Sequence, residues 1–105
     1  MLVLTATPAV ALTGEEWRRL PPASRDAYVT GIVDAWSNVV EVQESLGARD
    51  RGITVYLAIV SCLRERLLPY GKIVAAVEAY VRDNPGLVTK DMPDVVFAVL
   101  TAECR

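Results

Sequence analysis

The sequence predicts an all-α fold: a single-domain bundle of four to five helices, with one disulfide as the simplest use of its two cysteines. Three observations lead there. Apolar residues recur at three- and four-residue intervals through most of the chain, the period of helices packed on one face. Proline and glycine fall in the gaps between those runs, at Pro21-Pro22, Gly47, Pro69 and Asn84-Pro85-Gly86, where they end or begin helices. A length of 105 residues, 52% of them apolar, suits one core, small enough that a covalent staple would reinforce it.

Thr13-Gly14-Glu15-Glu16 reads as a capping box, with Thr13 as N-cap and Glu16 reaching back, and it opens a short helix through Trp17 to Leu20. Pro21-Pro22 stops that helix. Ser24 then caps a long helix over 25–46, apolar at Tyr28, Ile32, Val33, Trp36, Val39 and Val40 and closed by Gly47. A polar connection over 48–52 follows. The apolar run 53–68 has a β-branched start that suits a buried strand, but its length and the Leu57, Val60, Arg64, Leu67 spacing favour a helix that ends before Pro69. Pro69 or Gly71 begins the next helix, with Ile73, Val74, Val77, Tyr80 and Val81 on one face and Glu78 placed to pair with Arg82 one turn on. Asn84-Pro85-Gly86 ends it. A loop over 87–92 leads to a last helix, capped by Asp91, that tolerates Pro93 in its first turn and runs through Val95, Val96, Val99 and Leu100 to Cys104.

Gly31 stands in the middle of the long helix, where it costs about 1 kcal/mol relative to alanine. Ala27, Gly31 and Ala35 fall at i, i+4 and i+8, so the expectation is a helix-packing ridge on which another helix crosses closely. Asp34 lies near that ridge and is expected to hydrogen-bond backbone, or a Tyr or Trp of a neighbouring helix.

Composition narrows the function. There are 11 basic and 13 acidic residues and no histidine. The basic residues form no stripe of the kind that neutralises phosphates, so nucleic acid is not an expected partner. Without histidine the chain lacks the commonest general base, the usual activator of a Ser or Cys nucleophile and the commonest metal ligand. The sequence therefore offers no catalytic residues, no metal site and no cofactor motif, and reads as a binding protein rather than an enzyme. A mean hydropathy of +0.29 leaves apolar surface to meet a partner.

The stretch 2–11, LVLTATPAVA, is uncharged and ends in Ala9-Val10-Ala11, the small-x-small pattern that precedes signal-peptidase cleavage. Residues 1–11 are expected to be a truncated signal-peptide remnant and residues 12–105 the helical domain; the alternative is a short arm packed on that domain. The stretch is too short to span a bilayer. Cys62 and Cys104 lie too far apart, and without histidine neighbours, for a zinc site. A disulfide between them closes a loop of about 40 residues and would contribute up to about 4 kcal/mol. Two buried free thiols are the alternative.

Taken together, Tyr28-Val29-Thr30-Gly31-Ile32-Val33-Asp34-Ala35, then Cys62, then Gly71-Lys72-Ile73-Val74 leading to Ala79-Tyr80-Val81-Arg82-Asp83-Asn84-Pro85, and a terminal Ala102-Glu103-Cys104, form an ordered pattern over about residues 15 to 104. The pattern resembles the Rap/Tai class of periplasmic immunity proteins. The resemblance implies a small helical protein with Cys62 bonded to Cys104, a homodimer as one assembly, and the task of neutralising a peptidoglycan amidase effector of type VI secretion. The apolar run 53–60 departs from that class, which often carries a polar segment there and more cysteines. An acid-stress chaperone of the HdeA type, also exported, helical and single-disulfide, is the nearest rival. For the immunity role a protein partner is expected at a loop. The candidates are 47–52, with Arg49, Asp50 and Arg51 at its tip, and 87–92. Arg is enriched at binding hot spots, which favours the first loop.

Overall fold

A computed structural model describes residues 11–47 and 51–104. The signal-like stretch 1–10, together with Arg49 and Asp50, lies outside the described residues. The elements are α1 (Gly14–Arg18), α2 (Pro22–Ser45), α3 (Arg51–Arg66), α4 (Tyr70–Asp83), a 3₁₀ turn (Pro85–Thr89) and α5 (Met92–Glu103). The described residues hold no strand, only an isolated bridge between Thr13 and Asp91. The predicted all-α fold is the observed one.

The helix ends follow from local chemistry. The capping box of α1 is present: Glu16 N–H donates to Thr13 Oγ1 at 3.3 Å, and Thr13 N–H donates to Glu16 Oε1 at 3.1 Å. α2 starts on Pro22 rather than at Arg25, so Ser24 sits inside its first turn. Proline lacks the N–H that a first helical residue leaves unused, and its fixed φ already suits a helix, so Pro21-Pro22 both stops α1 and starts α2. At the other end Gly47 takes φ +65° and donates its N–H to the Glu44 carbonyl at 3.1 Å, the glycine stop expected there.

α3 ends in the same way without a glycine. Leu67 N–H donates to the Arg64 carbonyl and Leu68 N–H to the Leu63 carbonyl, both at 3.3 Å, which is the Schellman pattern, and Leu67 holds φ +50°. Pro69 then occupies the N-cap of α4. Asp91 holds the N-cap position of α5 through its backbone: its carbonyl accepts from Asp94 and Val95, while its side chain makes no cap bond.

The segment 87–92 is not the protruding loop expected from sequence. Its first half winds into the 3₁₀ turn, which packs on α1, while Met92 is fully buried and Leu87 packs against the core. Backbone bonds from Gly14 N to Lys90 O (2.9 Å) and from Met92 N to Leu12 O (2.7 Å) tie the two chain segments together. The approach is close: a Cβ on Gly14 would stand 2.7 Å from the Leu87 carbonyl oxygen. Burial of Leu87 and Met92 outweighs the turn-forming Asn-Pro-Gly that suggested an open loop.

Two further expectations are corrected. Glu78 pairs with Arg25 of α2 at 3.9 Å, while Arg82 pairs with its neighbour Asp83 at 3.4 Å. Arg25 is held there because it lies over the Trp17 ring, 5.9 Å from its centroid, and its carbonyl accepts from Trp17 Nε1 at 3.2 Å. The ridge of Ala27, Gly31 and Ala35 is exposed, and nothing stands within 4 Å of a Cβ placed on Gly31. The reason is angular. α2 buries Val29, Val33 and Val40, and each ridge residue lies two positions from Val29 or Val33, about 200° round the helix.

The core gathers Trp17 of α1, Val29 and Val33 of α2, Ile59 of α3, Ile73, Val74, Val77 and Val81 of α4, and Met92, Val95, Val96, Val99 and Leu100 of α5. α4 and α5 supply most of it, and α2 lies across α4. α3 packs mainly on α2. It reaches α5 through an aromatic cluster, with Tyr56 5.4 Å from Trp36 and 5.8 Å from Phe97 between ring centroids.

Candidate functional site

A groove of about 480 Å³ opens where α2, α3 and the start of α4 converge. Its floor is apolar, from Val33 of α2, Val60 and Leu63 of α3 and Ile73 of α4. Each floor residue is placed by helical period: Val33 belongs to the buried stripe of α2, and Leu63 follows Val60 and Ile59 along the inner face of α3. The Schellman turn at Leu67, with Leu68 and Pro69, swings the chain from α3 into α4 and forms one wall. Leu67 itself is 83% exposed at the mouth.

Two polar links tie the helices beside this groove. Arg64 Nη2 donates to Glu41 Oε1 at 3.1 Å, joining α3 to α2. Tyr70, the first residue of α4, donates its hydroxyl to Asp34 Oδ1, joining α4 to α2. Asp34 thus takes a tyrosine of a neighbouring helix, as its place in the sequence suggested. That bond, with partial burial and the negative charge of Asp34, raises the Tyr70 pKa above its ordinary value of 10.0. Asp34 and Glu41 are seven residues apart and so stand on one side of α2, two turns from each other. Glu41, Arg64 and Tyr70 line the groove, and Asp34 stands behind Tyr70. A floor of aliphatic side chains with a few polar groups at the edge is the usual make-up of a pocket that receives an apolar group.

The disulfide leaves the same end of α3, two residues on from Val60. Cys62 is bonded to Cys104 with a Cα–Cα distance of 6.0 Å, inside the range that a disulfide spans. It fastens α3 to the end of α5, and Arg66 Nη1 reinforces the junction by donating to the Glu103 carbonyl at 2.5 Å. The free-thiol alternative is removed.

The structure brings together only part of the site expected from sequence. The cysteines meet, while Ala27, Gly31 and Ala35 meet no other helix. Of the tip residues, Arg51 opens α3 and its two predecessors lie outside the described residues. Sequence reasoning missed the groove and the Arg64 link, and it left open which residue Asp34 bonds. The one available signal was the Asp34 to Glu41 spacing, which puts two acids on a single helix face. Among the described residues no group of three His, Cys, Asp or Glu side chains could hold a metal ion, and no helix is long and apolar enough to cross a membrane. No protein-family model matches the chain, and comparisons with curated proteins and with solved structures give no match.

Proposed function

We propose that this is an exported protein that binds another protein, in the immunity role its sequence resembles: inhibition of a cell-wall amidase effector of type VI secretion in the periplasm. The observation that carries the binding reading is the groove, an aliphatic floor left open between three helices that are otherwise tied by polar links at its rim. A disulfide-stapled helical body supports export, since such bonds persist in oxidising compartments and are rare in the cytosol. Absence of histidine from the whole sequence weighs against acid–base or nucleophilic catalysis by this chain.

The mechanism needs only a rigid receptor. An apolar side chain of the amidase enters between Val33, Leu63 and Ile73, and a Lys or Arg beside it meets Asp34 and Glu41. The contact blocks the amidase if the entering residue belongs to the rim of its substrate cleft. A direct test exports the amidase of the adjacent reading frame into the periplasm with and without this protein. Protection from lysis, lost in Leu67→Asp, supports the reading. Leu67→Asp suits the purpose because the residue is exposed and Asp tolerates positive φ better than Leu. Lysis unaffected by the wild-type protein overturns the immunity role. In that case protection of client proteins from aggregation near pH 3 tests the chaperone role.

A further inference from the structure

A second cavity, of about 380 Å³, lies where the start of α4 meets the end of α5. Leu68 and Ile73 line both this cavity and the groove. Its apolar lining is Leu68, Ile73, Ala76 and Leu100, of which Ile73 and Leu100 are buried. The hollow follows from the sequence of α4, which places alanine at 75 and 76, too short to fill the space beside Leu100. Its volume is that of pockets which hold small molecules, about 300–1,000 Å³. The mouth carries one cation and one anion, Lys72 of α4 and Glu103 of α5, both exposed. Among the described residues neither side chain forms an ion pair, and the contact of Glu103 with Arg66 is through its backbone carbonyl.

Both charges also stand at the unfavourable end of their helix. A helix dipole favours acids in the first turn and bases in the last. α1 obeys that rule at both ends, α3 and α4 at their C-termini and α5 at its N-terminus. At this cavity it is reversed twice: Lys72 lies in the first turn of α4, which has no acid, and Glu103 ends α5, whose last turn has no base. Breaches of a local rule gather where a chain binds something. We propose that this cavity binds a free α-amino acid with an aliphatic side chain. The ligand's carboxylate meets Lys72, with the positive end of α4 behind it, and its ammonium meets Glu103, with the negative end of α5 behind it. Its side chain lies on Ile73 and Leu100. Charge selects a zwitterion, because a ligand of one sign satisfies one of the two groups and is repelled by the other. The inference concerns a different cavity from the immunity reading and stands apart from it.

The test follows the backbone amide resonances of the oxidised full chain as L-leucine is added. Shifts that saturate at Lys72, Ala76, Leu100 and Glu103 are expected. Nα-acetyl-L-leucine lacks the ammonium, L-leucine amide lacks the carboxylate and glycine lacks the side chain, so each should bind at least about tenfold more weakly. Lys72→Gln and Glu103→Gln should each weaken leucine binding at least about tenfold. Both side chains are exposed, so the fold is kept, and each change removes a charge from the unfavourable end of a helix, so the Tm should rise slightly. Shifts that do not saturate, analogues that bind as leucine does, or variants that bind leucine as wild type does would overturn the proposal. A lowered Tm in both variants would overturn it too, because the two charges would then already serve each other.

Discussion

Leu67 is a residue in a glycine's place. Its φ of +50° costs an L-residue about 1–2 kcal/mol, and its exposed side chain recovers little by burial. Leu67→Gly should therefore raise stability by about 0.5–1 kcal/mol after the entropy that glycine adds to the unfolded chain, read as a higher urea midpoint with unchanged slope. A lower midpoint would mean that Leu67 packs in a way the monomer does not show. Two other glycines should respond in opposite directions. Gly14→Ala places a Cβ against the Leu87 carbonyl and should destabilise by about 1–3 kcal/mol. Gly31→Ala meets nothing and should stabilise by about 1 kcal/mol. Thermal unfolding of the pair decides both. The small-residue spacing at 27, 31 and 35 was legible in the sequence, but spacing alone does not say which side of a helix faces inward. The valines at 29, 33 and 40 settle it, because they bury more apolar surface than alanine and glycine can.

Whole elements are more legible in the sequence than single contacts. The capping box, the Gly47 stop, the end of α3 before Pro69 and the buried faces of α4 and α5 all follow from local chemistry that the sequence displays. The start of α2 was misplaced by three residues because Ser24 looks like a cap while Pro22 can itself begin a helix. The segment 87–92 was misread because turn residues report backbone preference and not what their neighbours bury. A tyrosine partner for Asp34 was among the expectations, but which one was illegible, since Tyr70 lies far from it in sequence. Their bond raises the Tyr70 pKa, and the sign of the consequence follows. A raised folded pKa contributes stability that is full below the ordinary value of about 10 and is lost as pH rises through the folded value. Tyr70→Phe should lose about 0.5–1 kcal/mol at neutral pH, a figure reduced for exposure, and should lack the extra decline of the wild type above about pH 10. Parallel pH profiles for the two proteins would show that the bond does not hold α4 to α2.

At the scale of the whole molecule the disulfide joins what sequence separates. α3 packs mainly on α2, so Cys62 to Cys104 is its covalent tie to the end of α5. Cys62→Ser with Cys104→Ser should destabilise the protein by up to about 4 kcal/mol and broaden loss of structure first in α3, seen as faster amide exchange there than in α4. Equal exchange in both helices would place the tie's effect in the unfolded chain alone. The cysteine pair was legible because spacing and the lack of histidine argue against zinc, and a signal-like N-terminus favours a disulfide over free thiols. The groove was not, because it exists only where three helices meet. If this body binds and blocks a cell-wall amidase, as we propose, a single titration shows it. The most direct measurement adds the oxidised protein stepwise to the amidase of the adjacent reading frame and follows peptidoglycan amide hydrolysis. Hydrolysis should fall in proportion and stop near one inhibitor chain per enzyme, and Leu67→Asp should need a large excess to do the same. Undiminished hydrolysis under an excess of wild-type protein would contradict it.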